Sequence, residues 1–65
     1  MKVTVNNKEV ETFAQNISVL LREMDLDGNG MAVAVDGDII PRSDWEYYAL
    51  KENMKIVVIK AACGG

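Results

Sequence analysis

Lys55-Ile56-Val57-Val58-Ile59-Lys60 is the most strongly patterned stretch of the chain, four β-branched aliphatics closed at both ends by lysine. Branching at Cβ stiffens χ1 and suits a pleated strand. Apolar side chains at both odd and even positions give this strand two apolar faces, which predicts a central place in a sheet. Its neighbours come from upstream. Met31 to Val35 is a second strand candidate, and Asp36-Gly37 before Asp38-Ile39-Ile40 is a dipeptide suited to a tight hairpin turn, because both central positions take positive φ. Pro41 has no N–H to give a ladder and ends that hairpin. Nearer the N-terminus, Val3, Val5 and Val10 alternate with Lys2, Thr4, Glu9 and Glu11 around Asn6-Asn7-Lys8, an opening hairpin.

Between the hairpins, Asn16 offers a capping oxygen, and Ile17, Leu20, Leu21 and Met24 fall at i, i+3, i+4 and i+7. A helix with one apolar stripe follows, with Arg22, Glu23 and Asp25 on its wet face. Asp27-Gly28-Asn29-Gly30 supplies residues that tolerate positive φ, so the helix is expected to stop near Leu26. After Pro41, Ser43 or Asp44 is expected to cap a short helical turn carrying Trp45, Tyr48 and Leu50, with Trp45 anchoring it on the sheet. The order strand, strand, helix, strand, strand, short helix, strand predicts an α+β roll with the crossover helix on one sheet face. The domain spans residues 1–60, and residues 61–65 form a flexible tail.

Composition narrows the function. The chain has 65 residues, ten acidic against seven basic, for a net charge of −3. A domain this short buries about 60% of the surface its unfolded chain exposes, which leaves one thin core, no enclosed substrate pocket and no ordinary enzyme. There is no histidine, and the single Cys63 makes neither an internal disulfide nor a multi-cysteine zinc site. Asp25, Asp27 and Asn29 alternate like a calcium loop, but the twelfth position falls on Asp36 behind a strand, so that reading is discounted. The acidic balance opposes nucleic-acid binding. No apolar run is long enough for a bilayer or a signal peptide, and the expected location is the cytoplasm.

The chain closes with Ala61-Ala62-Cys63-Gly64-Gly65. Two glycines pass through a channel too narrow for side chains, so the final carboxylate can be presented to a partner. A carboxylate is a poor acyl donor and needs activation, usually as an acyl-adenylate made from ATP by another protein. A terminal Gly-Gly is also compatible with a merely frayed end. Docking has its own signal: with Ile56 and Val58 directed to the helix beside Val3, Val5, Leu20 and Leu21, Val57 and Ile59 must face the other way. Two exposed aliphatics beside the tail mark a contact surface, unless the Trp45 turn covers them.

The order of elements and Gly64-Gly65 together resemble the ubiquitin-like β-grasp proteins. More narrowly, Ile40-Pro41-Arg42-Ser43-Asp44-Trp45 is similar to the Val-Pro-Arg-x-x-Trp segment of the thiamine-biosynthesis sulfur carrier family, and the likeness covers essentially the whole chain. The resemblance implies a β-grasp roll with a mixed sheet of four to five strands, one crossover helix on one face and a short second helix. It implies a carrier, not an enzyme, that holds no cofactor of its own. A ubiquitin-activating-like adenylyltransferase, using ATP and magnesium, would adenylate Gly65, and the adenylate would become a thiocarboxylate. Sulfur would come from a cysteine desulfurase or another donor and pass to thiazole synthase. Ala62, Cys63 and Gly64 would thread the partner's channel, Val57 and Ile59 would dock, and the free carrier would be monomeric. Other readings share the terminus: a carrier of the molybdopterin synthase small-subunit type, a ubiquitin-like modifier, or a binding module that never uses its tail.

Two segments depart from the family. Asn53-Met54 stands where Gly-Asp is frequent, and Asn best replaces glycine at positive φ. Cys63 places a thiol beside the Gly-Gly, either as an acceptable small residue or as a participant that traps persulfide sulfur or forms a mixed disulfide with the activating enzyme. Cys63→Ala separates the two: thiocarboxylate formation is expected at an undiminished rate, and a marked loss would assign the thiol a part in the chemistry.

Overall fold

The computed structural model describes residues 1–26 and 28–60, with elements in the order β1 (Lys2–Val5), β2 (Lys8–Glu11), α1 (Ile17–Glu23), β3 (Met31–Val35), β4 (Asp38–Ile40), a 3-10 helix (Arg42–Asp44) and β5 (Lys55–Lys60). The strands form one sheet in the order β2-β1-β5-β3-β4. β5 is therefore central, as its two apolar faces predict. It runs parallel to β1, with Val5 opposite Ile56, and antiparallel to β3, with Val35 opposite Ile56, so the sheet is mixed.

Both hairpins turn on two residues of positive φ. Asn6 and Asn7 take 51° and 69°, and Asp36 and Gly37 take 50° and 89°. Such turns match the twist of the strands they join. Lys8, expected in the first turn, already belongs to β2, since two residues suffice to reverse the chain. Asn53 has a φ of 65°, which preserves the turn into β5 without a glycine.

The Oδ1 of Asn16 accepts a hydrogen bond from the Val19 N–H at 2.8 Å and caps α1 as expected. The helix ends at Glu23, earlier than the glycine run implied. Asp25 adopts the left-handed region at φ 63°, its N–H donates to the Arg22 carbonyl at 3.0 Å, and the Leu26 N–H donates to the Leu21 carbonyl at 2.8 Å. That pair of bonds is a Schellman closure, here built on aspartate in place of glycine. Met24 is accordingly the half-buried cap of the helix and not its last turn.

The expected side-chain cap after Pro41 is corrected. The 3-10 helix begins directly behind Pro41, no side chain caps it, and Ser43 and Asp44 lie inside it. Pro41 itself occupies the cap position, where its side chain has no acceptor to offer, and only its carbonyl takes part, accepting from the Asp44 N–H at 2.9 Å.

The core lies between α1 and one sheet face. Val3, Val5, Ile17, Leu20, Leu21, Val33, Val35, Ile40, Trp45 and Ile56 are all buried in it, and the half-buried Val58 packs against it. The one buried polar side chain among the described residues, Thr12, is satisfied: its hydroxyl donates to the Glu23 carboxylate and accepts from the Ala14 N–H at 2.9 Å. Leu20 is fully buried. Leu20→Ala is expected to lower the unfolding free energy by about 2–5 kcal/mol in urea titrations. A loss under about 1 kcal/mol would mean that the site collapses around the shorter side chain.

Candidate functional site

Alternation along β5 divides its side chains between the core and the outer face of the sheet. Ile56 is 1% exposed, whereas Val57 is 45% and Ile59 49% exposed. The register shows what lies beside them: Ala34 of β3 stands opposite Val57 and, on its other side, opposite Ile39 of β4, while Ala32 stands opposite Ile59. Ile39 is 62% exposed. The outer face thus carries an apolar strip of Ile39, Ala34 and Val57 in one row and Ala32 and Ile59 in the next. Across β1 and β2 the same face changes character to Lys2, Thr4, Glu9 and Glu11, with the Lys2 Nζ 3.5 Å from a Glu9 carboxylate oxygen. Phe13 and Tyr47 are also exposed, but they stand on loops off the sheet.

Val57 and Ile59 are therefore brought together as expected, and Ile39 is a member that sequence reasoning missed. Its signal was present. The Asp36-Gly37 turn pairs Val35 with Asp38, and counting one step back sets Ile39 opposite Ala34.

The possibility that the Trp45 turn covers Val57 and Ile59 is overturned. Trp45 is buried in the core cluster on the helix side, where its Nε1 donates to the Ile40 carbonyl at 2.9 Å. It does anchor the 3-10 segment. The Arg42 guanidinium carbon lies 5.8 Å from the centre of the Trp45 ring, and the Arg42 Nη1 donates to the Asn29 Oδ1 at 3.3 Å. Gly28, at φ 82°, completes the cluster, since a Cβ there would come within 2.9 Å of the Trp45 Cζ3. The Pro-Arg-x-x-Trp segment thereby pins the connection between α1 and β3.

Where β1 turns away from β5, a side chain continues the pairing. The Val58 N–H donates to the Asn6 Oδ1 at 2.8 Å, and the Asn6 Nδ2 donates to the Val58 carbonyl at 3.2 Å. The strand is held almost to its end at Lys60. Ala62, Cys63, Gly64 and Gly65, the expected threading and sulfur-carrying residues, lie outside the described residues. Among the described residues, no group of three or more acidic, cysteine or histidine side chains could hold a metal ion, and no helix is long and apolar enough to cross a membrane.

A mixed five-stranded sheet in this order, with one helix packed on one face, defines a ubiquitin-like β-grasp protein. The crystal structure of a thiamine biosynthesis protein (ThiS) from Geobacter metallireducens has the same fold, with a TM-score of 0.85 over 100% of both chains at 20% identity. The sequence model of the ThiS family matches residues 2–65, and the chain belongs to that family. It is also 26% identical, over 66 aligned residues and 100% of both sequences, to the sulfur carrier protein ThiS of Escherichia coli (strain K12).

Gly28→Ala is expected to cost about 1–3 kcal/mol and to shift the Trp45 fluorescence, because strained backbone and a blocked indole act together. Gly30 also has positive φ, at 66°, but nothing lies within 4 Å of its added Cβ. Gly30→Ala should therefore cost less and leave the fluorescence unchanged; equal effects at the two glycines would refute the Trp45 contact.

Proposed function

We propose that this chain is a sulfur carrier for thiamine biosynthesis, with the Gly65 carboxylate as its reacting group. The observation that supports it best is the exposed Ile39, Val57 and Ile59 strip on β5 and its neighbours, on the strand that leads into the Gly64-Gly65 terminus. Family membership points the same way. The strip docks a ubiquitin-activating-like adenylyltransferase, and Ala62, Cys63 and Gly64 run into its channel. There the Gly65 carboxylate attacks the α-phosphorus of ATP, held with magnesium by that enzyme, to give an acyl-adenylate and pyrophosphate. A persulfide sulfur derived from a cysteine desulfurase or another donor then displaces AMP to give an acyl disulfide, and a thiol cleaves its S–S bond, which releases the thiocarboxylate and leaves a disulfide. The carrier hands that sulfur to thiazole synthase and returns with a carboxylate.

In this scheme the folded body performs no chemistry and holds no cofactor. It works in the cytoplasm as a monomer when free. Its part is to offer a rigid surface for recognition and a terminus without side chains where the reaction occurs.

Intact mass after incubation with the adenylating enzyme of the same organism, ATP and a sulfur source tests the proposal. The chain is expected to gain the mass difference between sulfur and oxygen, and Val57→Asp should slow the gain by about tenfold or more, as burying a charge at a contact centre does. Mass added to a lysine of another protein would assign a modifier instead. Absence of both adenylate and sulfur would sink the carrier reading.

A further inference from the structure

On the helix side of the sheet, α1 and the 3-10 segment enclose an open groove of about 670 Å³. Leu21, Leu26 and Trp45 contribute apolar surface to it, and Arg22, Arg42 and Glu46 contribute charge. The hydroxyl-bearing Ser18 and Ser43 complete the lining.

Two arginines share this groove without a carboxylate partner among the described residues. Among the described residues, the ion pairs within 4 Å join the N-terminal amine to Glu11 and Lys2 to Glu9, so neither Arg22 nor Arg42 is paired, even with Glu46 beside them. Like charges so placed favour an anion between them. Arg42 is also preorganised. Stacked over Trp45 and tied to Asn29 through Nη1, it keeps further N–H donors in fixed directions, which lowers the conformational cost of gripping a carboxylate.

Topology supplies the occupant. Lys60, the last residue of β5, is registered with Met31, and β4 runs antiparallel to β3 with Ile40 opposite Val33, so Pro41 and Arg42 continue toward the Met31 end of the sheet. The groove therefore lies at the end of the sheet where β5 finishes, on the face opposite Val57 and Ile59. Any Gly-Gly terminus offers the same reacting atoms, so an enzyme that selects this carrier has to recognise its body.

We propose that Arg22 and Arg42 form a second docking contact, which receives an acidic segment of the enzyme that adenylates Gly65. This rests on the carrier function proposed above. The two contacts lie on opposite faces of one sheet, so together they fix the orientation of the carrier as well as its attachment. Glu46 opposes the acidic segment and moderates the affinity.

The test is ATP–pyrophosphate exchange by the adenylating enzyme of the same organism, with the full chain as varied substrate. Arg22 is exposed on α1 and has no partner to lose among the described residues, so Arg22→Glu keeps the fold, which circular dichroism and the urea midpoint verify. Its KM is expected to rise about tenfold with kcat within about twofold, and its KM should depend less steeply on salt than that of the unaltered chain. Glu46→Gln should shift KM the other way, lowering it about twofold to threefold. Arg42→Gln should follow Arg22→Glu in sign, although it also loosens the Trp45 cluster.

A KM for Arg22→Glu within twofold of the parent, with the same salt dependence, overturns the proposal, as does a rise in KM for Glu46→Gln. Inorganic phosphate that perturbs the Arg22 and Arg42 side-chain NMR signals while the exchange kinetics of Arg22→Glu stay unchanged would make the groove a small-anion site and also overturn it. Exchange that is normal for these variants but impaired for Val57→Asp refutes the second contact alone. No exchange with the unaltered chain refutes the carrier function and this contact together.

Discussion

Successive side chains on a strand point to opposite faces, and β5 applies that rule at the centre of the sheet, where its effect is greatest. Ile56 closes the core beneath α1, while Val57 and Ile59 form part of the outer strip. A slip of one residue in the register of β5 would exchange these roles, opening the core and burying the strip. Two features oppose such a slip. Parallel pairing with β1 ties β5 to the first hairpin, and the two hydrogen bonds between the Asn6 amide and the Val58 backbone fix it where β1 has already turned away. Asn6 thus serves the turn by its positive φ and the sheet by its side chain.

The cluster of Gly28, Asn29, Arg42 and Trp45 plays the corresponding part on the helix side. Trp45 fills the space beneath the end of β4, Gly28 allows the backbone to approach the indole, and Arg42 bridges the ring and Asn29. Sequence marks the Pro-Arg-x-x-Trp segment for recognition of the family, and the structure gives it a mechanical reason. The same contacts that stabilise the loop hold Arg42 where it lines the groove.

What was legible in the sequence was local or strictly periodic. Asn6-Asn7 and Asp36-Gly37 declare their turns through the few residues that tolerate positive φ, Asn16 declares a helix start, and the β-branched run at Ile56 declares a central strand. The misses arose where tertiary context chose among local options. Aspartate is a weak helix terminator by propensity, yet Asp25 closes α1 because Leu21 and Leu26 make a Schellman contact beside the core. Pro41 took the cap position of the 3-10 turn, which placed Ser43 and Asp44 inside it. Ile39 required two registers to be combined across three strands. The groove between α1 and the 3-10 segment joins Arg22 to Arg42, twenty positions apart, and no local pattern connects them. The Gly-Gly terminus is legible only as chemistry, since the role proposed for it lies in what a partner would do to it.

A shuttling carrier must bind firmly enough to be recognised and loosely enough to leave, and the outer face is suited to that balance. Its apolar part consists of three branched aliphatics and two alanines, whereas stable interfaces commonly bury about 800 Å² on each partner with an extensive apolar centre. The edges of the sheet discourage self-association. β2 presents Lys8, Glu9 and Glu11 along one edge, and β4 offers only three residues at the other. A longer apolar strip would hold a partner longer, but it would also invite strand pairing between copies. Under the two proposals above, dividing recognition between a small apolar patch and separate charged groups keeps each contact weak, and orientation then comes from their combination rather than from the area of either one.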